Sequence, residues 1–128
     1  MTASITKKQI RDTQDSVRWL ANELAKFAEN YKKVPILQTK SALATKYSLI
    51  RNYLAQISKQ RGDFLNLNNN EMVYLCTQEM NIFAKLIEIF SQPRLGNSDL
   101  GDIAGFASSL LTLIGDVESR IATLNIAA

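Results

Sequence analysis

The sequence contains no histidine, and this absence excludes several classes of catalytic and metal site. Without imidazole there is no Ser-His-Asp or Cys-His nucleophile system, no phosphotransfer histidine and no zinc site with a histidine ligand. Cys76 is the single cysteine, so an intrachain disulfide and a thiolate metal cluster are also excluded. No Walker-type phosphate loop occurs, and acidic pairs such as Asp99/Asp102 suit helix starts. We therefore expect a protein that is not an enzyme and that holds no cofactor and no metal.

Proline and glycine are scarce as well, with two and five copies. Pro35, Gly62 and the Pro93/Gly96 pair divide the chain into four segments of similar length. No segment has the composition of a long linker, so residues 1–128 are interpreted as a single domain. The longest nearly apolar run, 103–114, is too short for a bilayer span, and no signal-peptide pattern is visible. The expected location is the cytoplasm, with no membrane partner.

Apolar residues recur at spacings of three and four in all four segments, which predicts four amphipathic helices and no strands. The predicted helices span 7–33, 35 or 39 to 61, 68–92 and 98 onwards. The simplest arrangement is an all-α, antiparallel up-down four-helix bundle. The alternative is three long helices with a fourth that is kinked or split near Gly115.

Helix starts and buried faces are also predicted from these patterns. Thr6 and Gln9 fit a capping box for the first helix, Asn68 is the expected cap of the third, and Ser98 or Asp99 that of the fourth. The expected buried face of the first helix consists of apolar residues with one gap filled by Thr13: Ile10, Val17, Leu20, Leu24, Phe27 and Tyr31. The third helix has two adjacent apolar lines, so we expect it to be central in the bundle or covered by a second protein.

Charge is distributed unevenly between the two halves of the chain. Residues 1–64 carry twelve cations and five anions, whereas residues 65–128 carry three cations and seven anions. An excess of +7 in one half indicates an anionic partner, or attraction between the halves within one chain or between copies.

Seven of these cations lie on the first helix within an arc of about 120°, nearly opposite its buried face. We call the following set the cationic stripe: Lys7, Lys8, Arg11, Arg18, Lys26, Lys32 and Lys33. Asp15 and Glu29 dilute the stripe, and Lys32 and Lys33 also suit the negative end of the helix dipole. A solvated face explains such a pattern as readily as a binding surface does.

Trp19 lies about 130° from the centre of the buried face by helical geometry, beside the cationic stripe. Its indole is expected either to pack against another helix of the bundle or to be available for base stacking or for a partner's pocket. Lysine and arginine neutralise phosphates, and no base-reading motif is present, so sequence-independent contacts to the nucleic-acid backbone are expected. The candidate nucleic-acid-binding residues are Lys7, Lys8, Arg11, Arg18, Trp19, Lys26, Lys40, Lys46 and Arg51.

In size, all-helical pattern and one basic face, the chain resembles the small subunit of CRISPR effector complexes. The resemblance covers the whole chain as architecture and charge, and no motif or site residue is carried over. It implies a non-catalytic subunit of a ribonucleoprotein in antiviral defence. Its copies would stack along the guide-bound filament and offer basic faces to an RNA or DNA strand.

Two further hypotheses come from the helical pattern itself. According to the first hypothesis, the protein is a protein-binding adaptor, chaperone or inhibitor that acts through an apolar helix face, with Trp19 as an anchor. Alternatively, it is a homo-oligomeric structural protein in which the oppositely charged halves of neighbouring copies meet.

Overall fold

The computed structural model describes residues 5–33, 48–59, 67, 69–92 and 95–128, except for the side chains of Lys32 and Lys33. In these ranges all regular structure is helical: α1 (Lys7–Lys33), α2, of which residues 48–59 are described, α3 (Asn70–Phe90) and α4 (Asn97–Ile121). No strand occurs in them. The all-α fold class is confirmed, whereas both predicted ends of the second helix fall outside the described residues.

The start of α1 is capped from two sides. Thr6 and Gln9 form the predicted capping box: the Gln9 amide donates to Thr6 Oγ1 at 3.1 Å, and the Thr6 amide donates to Gln9 Oε1 at 2.8 Å. The amides of Lys7 and Lys8 donate to the carbonyls of Ala127 and Ala128 at 2.9 and 3.0 Å. These carbonyls satisfy first-turn donors that have no partner inside the helix. The apolar residues that end the chain therefore pack onto α1.

The starts of α3 and α4 each differ slightly from their sequence predictions. The side chain of Asn69, not Asn68, caps α3 and accepts a hydrogen bond from the Met72 amide at 3.0 Å. Gly96 precedes α4, and its amide donates to the carboxylate of Asp99 at 2.8 Å. The helix then continues through Gly115 without a break, so the predicted split is wrong.

The core consists of two apolar clusters. The larger one includes Val17, Leu54, Phe83 and Ile114, and the smaller one surrounds Ile10 with residues from α3, α4 and the chain end. Phe83 is fully buried, and burial of a side chain of this size contributes about 1.5–3 kcal/mol.

Two polar side chains, Gln14 and Glu79, lie fully buried at the boundary between these clusters. Gln14 therefore fills the gap in the buried face of α1 that was predicted for Thr13. Glu79 likewise lies in the buried face of α3. Both positions fit the three-four spacing, but their polarity concealed them from the apolar pattern.

The described helices pack as a bundle in which α4 contacts both α1 and α3. The rings of Phe27 in α1 and Phe90 in α3 meet with centroids 5.5 Å apart. Trp19 of α1 contacts Tyr53 of α2, which brings α2 against α1. All four described helical segments therefore contribute to one packed unit.

By length and composition, α4 also passes the test for a membrane span, with a mean hydropathy of 1.4 over 18 residues. The nearly apolar run 103–114, on which the sequence prediction rests, is only part of this helix. A third of the 18-residue window in α4 is buried inside the protein, where Ile103, Leu110 and Ile114 pack into the core. Contact with α1 and α3 thus accounts for the buried third of this window, and the rest of it is not buried.

Candidate nucleic-acid interface

The candidate residues on α1 do not form one continuous surface, because the neighbouring helices engage some of them. Lys7 donates through Nζ to the carbonyl of Ala122, just after α4, at 3.2 Å. Arg18 donates through Nη2 to Glu118 Oε1 at 2.6 Å, and its Nη1 lies 3.5 Å from Asp15. Both contacts connect α1 with the end of α4 or the residue after it, and the charge of Arg18 is partly neutralised by Glu118 and Asp15.

Lys8 and Arg11 are the candidates on α1 that remain available. Both side chains are exposed, and neither pairs with a carboxylate in the part of the chain that the structure describes. They lie three residues apart on successive turns of one helix face, a spacing that brings side chains together. The capping contacts at Thr6 and Ala127 hold this part of α1, so the two cations project from a supported helix.

The sequence allowed Trp19 either to pack against another helix or to be exposed, and the structure shows a combination of both. Its ring packs edge-on against Tyr53 of α2, with centroids 4.6 Å apart and an interplanar angle of 62°. Even so, 39% of the side chain remains exposed. Helix α2 covers one side of the indole, while another part of it stays in contact with solvent.

Lys26 and Arg51 lie at the margins of this region. Lys26 is 71% exposed and only 3.9 Å from Glu23, which makes a weak surface ion pair. Arg51 is exposed on α2, two residues before Tyr53, and at about 100° per residue it points to a different side of that helix. Lys40 and Lys46 are outside the described residues.

Three residues near these candidates were missed by sequence reasoning. Tyr53 contacts Trp19, Leu49 lies one turn before Tyr53 on the same side of α2, and Glu118 is the partner of Arg18. The signal for Tyr53 was its place beside the buried face of α2. Nothing in the sequence paired Glu118 with a residue one hundred positions away.

No group of three or more potential metal ligands comes together within residues 5–33, 48–59, 67, 69–92 and 95–128. Cys76 is buried. Among the described candidates, the accessible groups are Lys8 and Arg11 near the start of α1, Lys26 and Arg51 at the margins, and the exposed part of Trp19.

Comparison with known proteins yields no relative to extend this description. No family model matches the chain, and no significant match was found among curated proteins or solved structures.

Proposed function

We propose that the protein is a non-catalytic helical subunit that binds the phosphate backbone of nucleic acid without sequence specificity. The observation that supports this function is the exposed pair Lys8 and Arg11, which has no acidic partner within the described residues. By contrast, Arg18 and Arg120 meet carboxylates at 2.6 and 2.7 Å. Unpaired cations neutralise phosphates without first giving up an internal ion pair.

The distribution of charge among the helices also supports the α1 side of the bundle as the side that binds nucleic acid. α1 carries seven cations and four anions, whereas α3 carries one cation and three anions, and α4 carries one and four. A polyanion is therefore attracted to α1 and repelled by α3 and α4. This polarity orients the bundle on a strand even where no base is read.

Charge reversal on α1 tests the proposal. We expect Lys8→Glu combined with Arg11→Glu to weaken binding of a labelled oligonucleotide by roughly tenfold or more at low salt, because two phosphate contacts become repulsive. The single variants Arg11→Glu and Lys85→Glu form a matched pair, since each changes net charge by the same amount. Lys85 is exposed on α3, 5.8 Å from the centre of the Phe106 ring.

Fluorescence anisotropy over a salt series provides the measurement. Affinity should fall steeply as salt rises, with a slope set by the number of phosphates contacted. Arg11→Glu should lower both the affinity and the slope, while Lys85→Glu should change neither substantially. The proposal fails if neither single-stranded nor duplex nucleic acid binds at low salt, or if the two variants lose affinity equally.

The proposed architecture is an up-down-up-down bundle. Lys7 at the start of α1 contacts the carbonyl of Ala122 just after α4, and Arg120 near the end of α4 meets Glu71 at the start of α3. Both contacts support a fourth helix that runs opposite to its two neighbours. In this arrangement α1 and α3 lie diagonally across the core, which agrees with contact between Phe27 and Phe90 by large side chains.

The proposed setting is a larger ribonucleoprotein or nucleoprotein in the cytoplasm. The resemblance to the small subunit of CRISPR effector complexes supports this setting through size, helical pattern and charge. The partners would then be the nucleic-acid strand, other protein subunits and further copies of this chain. Isolation of the native assembly, followed by analysis of its nucleic acid and its subunit stoichiometry, tests this part of the proposal.

A second candidate function, a protein-binding adaptor, is favoured by the outer face of α4. Between Asp102 and Asp116 this helix carries no charged residue, and its exposed positions are mostly small. A methyl group added at Gly101, Gly105 or Gly115 would meet no atom of the described residues within 4 Å outside the backbone of its own helix, so packing among those residues does not require glycine there. Small residues allow a second helix to approach closely.

The two candidates respond differently to salt and to substitution. An adaptor should retain a stoichiometric protein partner at high salt and lose it when Gly105 is replaced by leucine, whose side chain blocks close approach. Binding of the partner should be unaffected by Arg11→Glu. If no protein partner is retained by the native chain, or if Gly105→Leu leaves retention unchanged, this candidate is discarded.

A further inference from the structure

Two of the large apolar side chains that are exposed among the described residues are Trp19, which takes part in an aromatic contact, and Leu49, which lies one turn from the other residue of that contact. Trp19 and Tyr53 form this contact, and Leu49 lies one turn before Tyr53 on the same side of α2, 46% exposed. We call these three residues the aromatic shelf. The other exposed apolar side chains, Tyr74, Ile87 and Leu111, are on α3 and α4. The shelf is therefore a local concentration of apolar surface on the side of the bundle that carries the cations.

From the aromatic shelf we infer that the nucleic acid bound by this protein is single-stranded, with an unpaired base stacked on Trp19. This inference rests on the proposed function, since it concerns the same ligand and the same side of the bundle. Bases of a duplex are stacked inside the helix and do not reach an aromatic side chain. An unpaired base presents a π-face that stacks on tryptophan whatever its sequence.

Cations on both sides of Trp19 support this assignment. Lys26 lies seven residues after Trp19 and Lys8 eleven residues before it, so both fall within about 20° of the same helix side. At 1.5 Å per residue they are about 10 and 16 Å from Trp19 along the helix axis. Phosphates on either side of a stacked base would thus have a cation within reach of the same strand.

Acidic residues near the shelf make it a site for a base and not for a phosphate. Asp15 lies one turn before Trp19 and is 3.5 Å from Arg18, and Glu23 lies one turn after it with only 15% of its side chain exposed. Asp12, two turns before, is exposed. These carboxylates repel a phosphate placed directly over the indole. The neutral base therefore occupies the shelf, while the backbone runs past Lys8, Arg11 and Lys26.

The size of the effect follows from the strength of stacking. Loss of one base–aromatic stack costs about 1–3 kcal/mol, which corresponds to roughly a 5- to 150-fold decrease in affinity. We expect Trp19→Leu to produce a decrease within this range for single strands. Tyr74→Leu is the matched control, because Tyr74 is 63% exposed on α3.

Trp19 is the single tryptophan of the chain, so its fluorescence reports directly on the shelf. The probes are a thymidine oligonucleotide of about twelve residues, a duplex of the same length, and an abasic polydeoxyribose phosphate of the same length. We expect the thymidine oligonucleotide to quench the tryptophan emission and to bind more tightly than both other probes. Trp19→Phe should keep most of this preference, and Trp19→Leu should lose it.

The outcomes separate the inference from the proposed function. If the three probes bind equally well and the emission of Trp19 does not change, phosphate binding stands and base stacking is refuted. If Trp19→Leu and Tyr74→Leu reduce the affinity for single strands equally, the shelf has no specific role and the inference is also overturned. If no probe binds at low salt, both the inference and the proposed function fall.

Discussion

Arg18 of α1 donates a hydrogen bond of 2.6 Å to Glu118 of α4, and this contact links residues one hundred positions apart in the chain. Both side chains are about two-fifths exposed. The contact helps to align the two helices and removes Arg18 from the cations that are free to meet a phosphate. A cation identified from the charge pattern is therefore free to bind a partner only if no carboxylate of the folded chain pairs with it.

A double-mutant cycle on Arg18→Ala and Glu118→Ala should give a coupling free energy of less than about 1 kcal/mol, because exposed ion pairs are screened by water and salt. The coupling should fall further at high salt. Urea unfolding at low and high salt measures both values. The pair Glu71–Arg120 provides a comparison at a similar distance of 2.7 Å. A salt-independent coupling of several kcal/mol would show that the pair is buried in solution.

The glycines inside α4 should be replaceable by alanine with a gain in stability. Gly101→Ala, Gly105→Ala and Gly115→Ala should each stabilise the protein by about 0.5–1 kcal/mol, since alanine loses less backbone entropy in a helix. Outside the backbone of α4 itself, the added methyl groups meet no atom within 4 Å in the part of the chain that the structure describes. Thermal unfolding of the single variants checks this expectation.

Gly96 is the control for this series because it precedes α4 as its N-cap, where glycine is preferred to alanine. Gly96→Ala should therefore give no gain. Destabilisation by the alanines at positions 101, 105 and 115 would mean that another chain already packs against this face under the conditions of the measurement.

The buried face of α3 should be sharply defined by truncation. Phe83→Ala should destabilise the protein by about 3–5 kcal/mol, because it leaves a cavity in the larger apolar cluster. Ile87→Ala, one turn further along, should cost less than about 1 kcal/mol, since Ile87 is 36% exposed. Denaturant unfolding of the two variants gives the comparison. Similar losses at both positions would contradict the assignment of the buried face.

The capping box at the start of α1 should contribute measurably to stability. Thr6→Ala should cost about 1 kcal/mol because it removes the acceptor for the Gln9 amide. Thr112→Ala is the control, since Thr112 is exposed within α4 and its hydroxyl donates only to the carbonyl of its own helix at Ser108. That control should be neutral or slightly stabilising. The prediction is wrong if the two variants have the same midpoint of unfolding.

Periodic apolar residues were sufficient to predict the helical fold, and the spacing of Thr6 and Gln9 was sufficient to predict their capping box, because both depend on residues close in sequence. The same pattern missed Gln14 and Glu79 in the core. A polar residue at a buried position is indistinguishable from a surface residue when only apolar spacing is considered. The number of helices is a local property, whereas their order in space depends on contacts between distant segments.

Prediction of the candidate site was limited for the same reason, because its contacts join segments that are distant in sequence. Helical geometry placed Trp19 away from the buried face of α1, and 39% of the side chain is exposed. Its contact with Tyr53 depends on how α2 packs, which the periodicity of α1 does not contain. The division of the cations into engaged and available ones depends on Glu118 and on the carbonyl of Ala122, both of which are contributed by the end of the chain.

The pairing of α1 with α4 has a consequence for synthesis on the ribosome. Helix α1 is made first, but α4, which covers part of its apolar face, follows about ninety residues later, roughly 5–20 s at ordinary translation rates. During that interval Val17, Leu20 and Leu24 lack their final cover from α4. The apolar face of α1 therefore stays incompletely covered during synthesis, and its final packing against α4 forms only after α4 has been made.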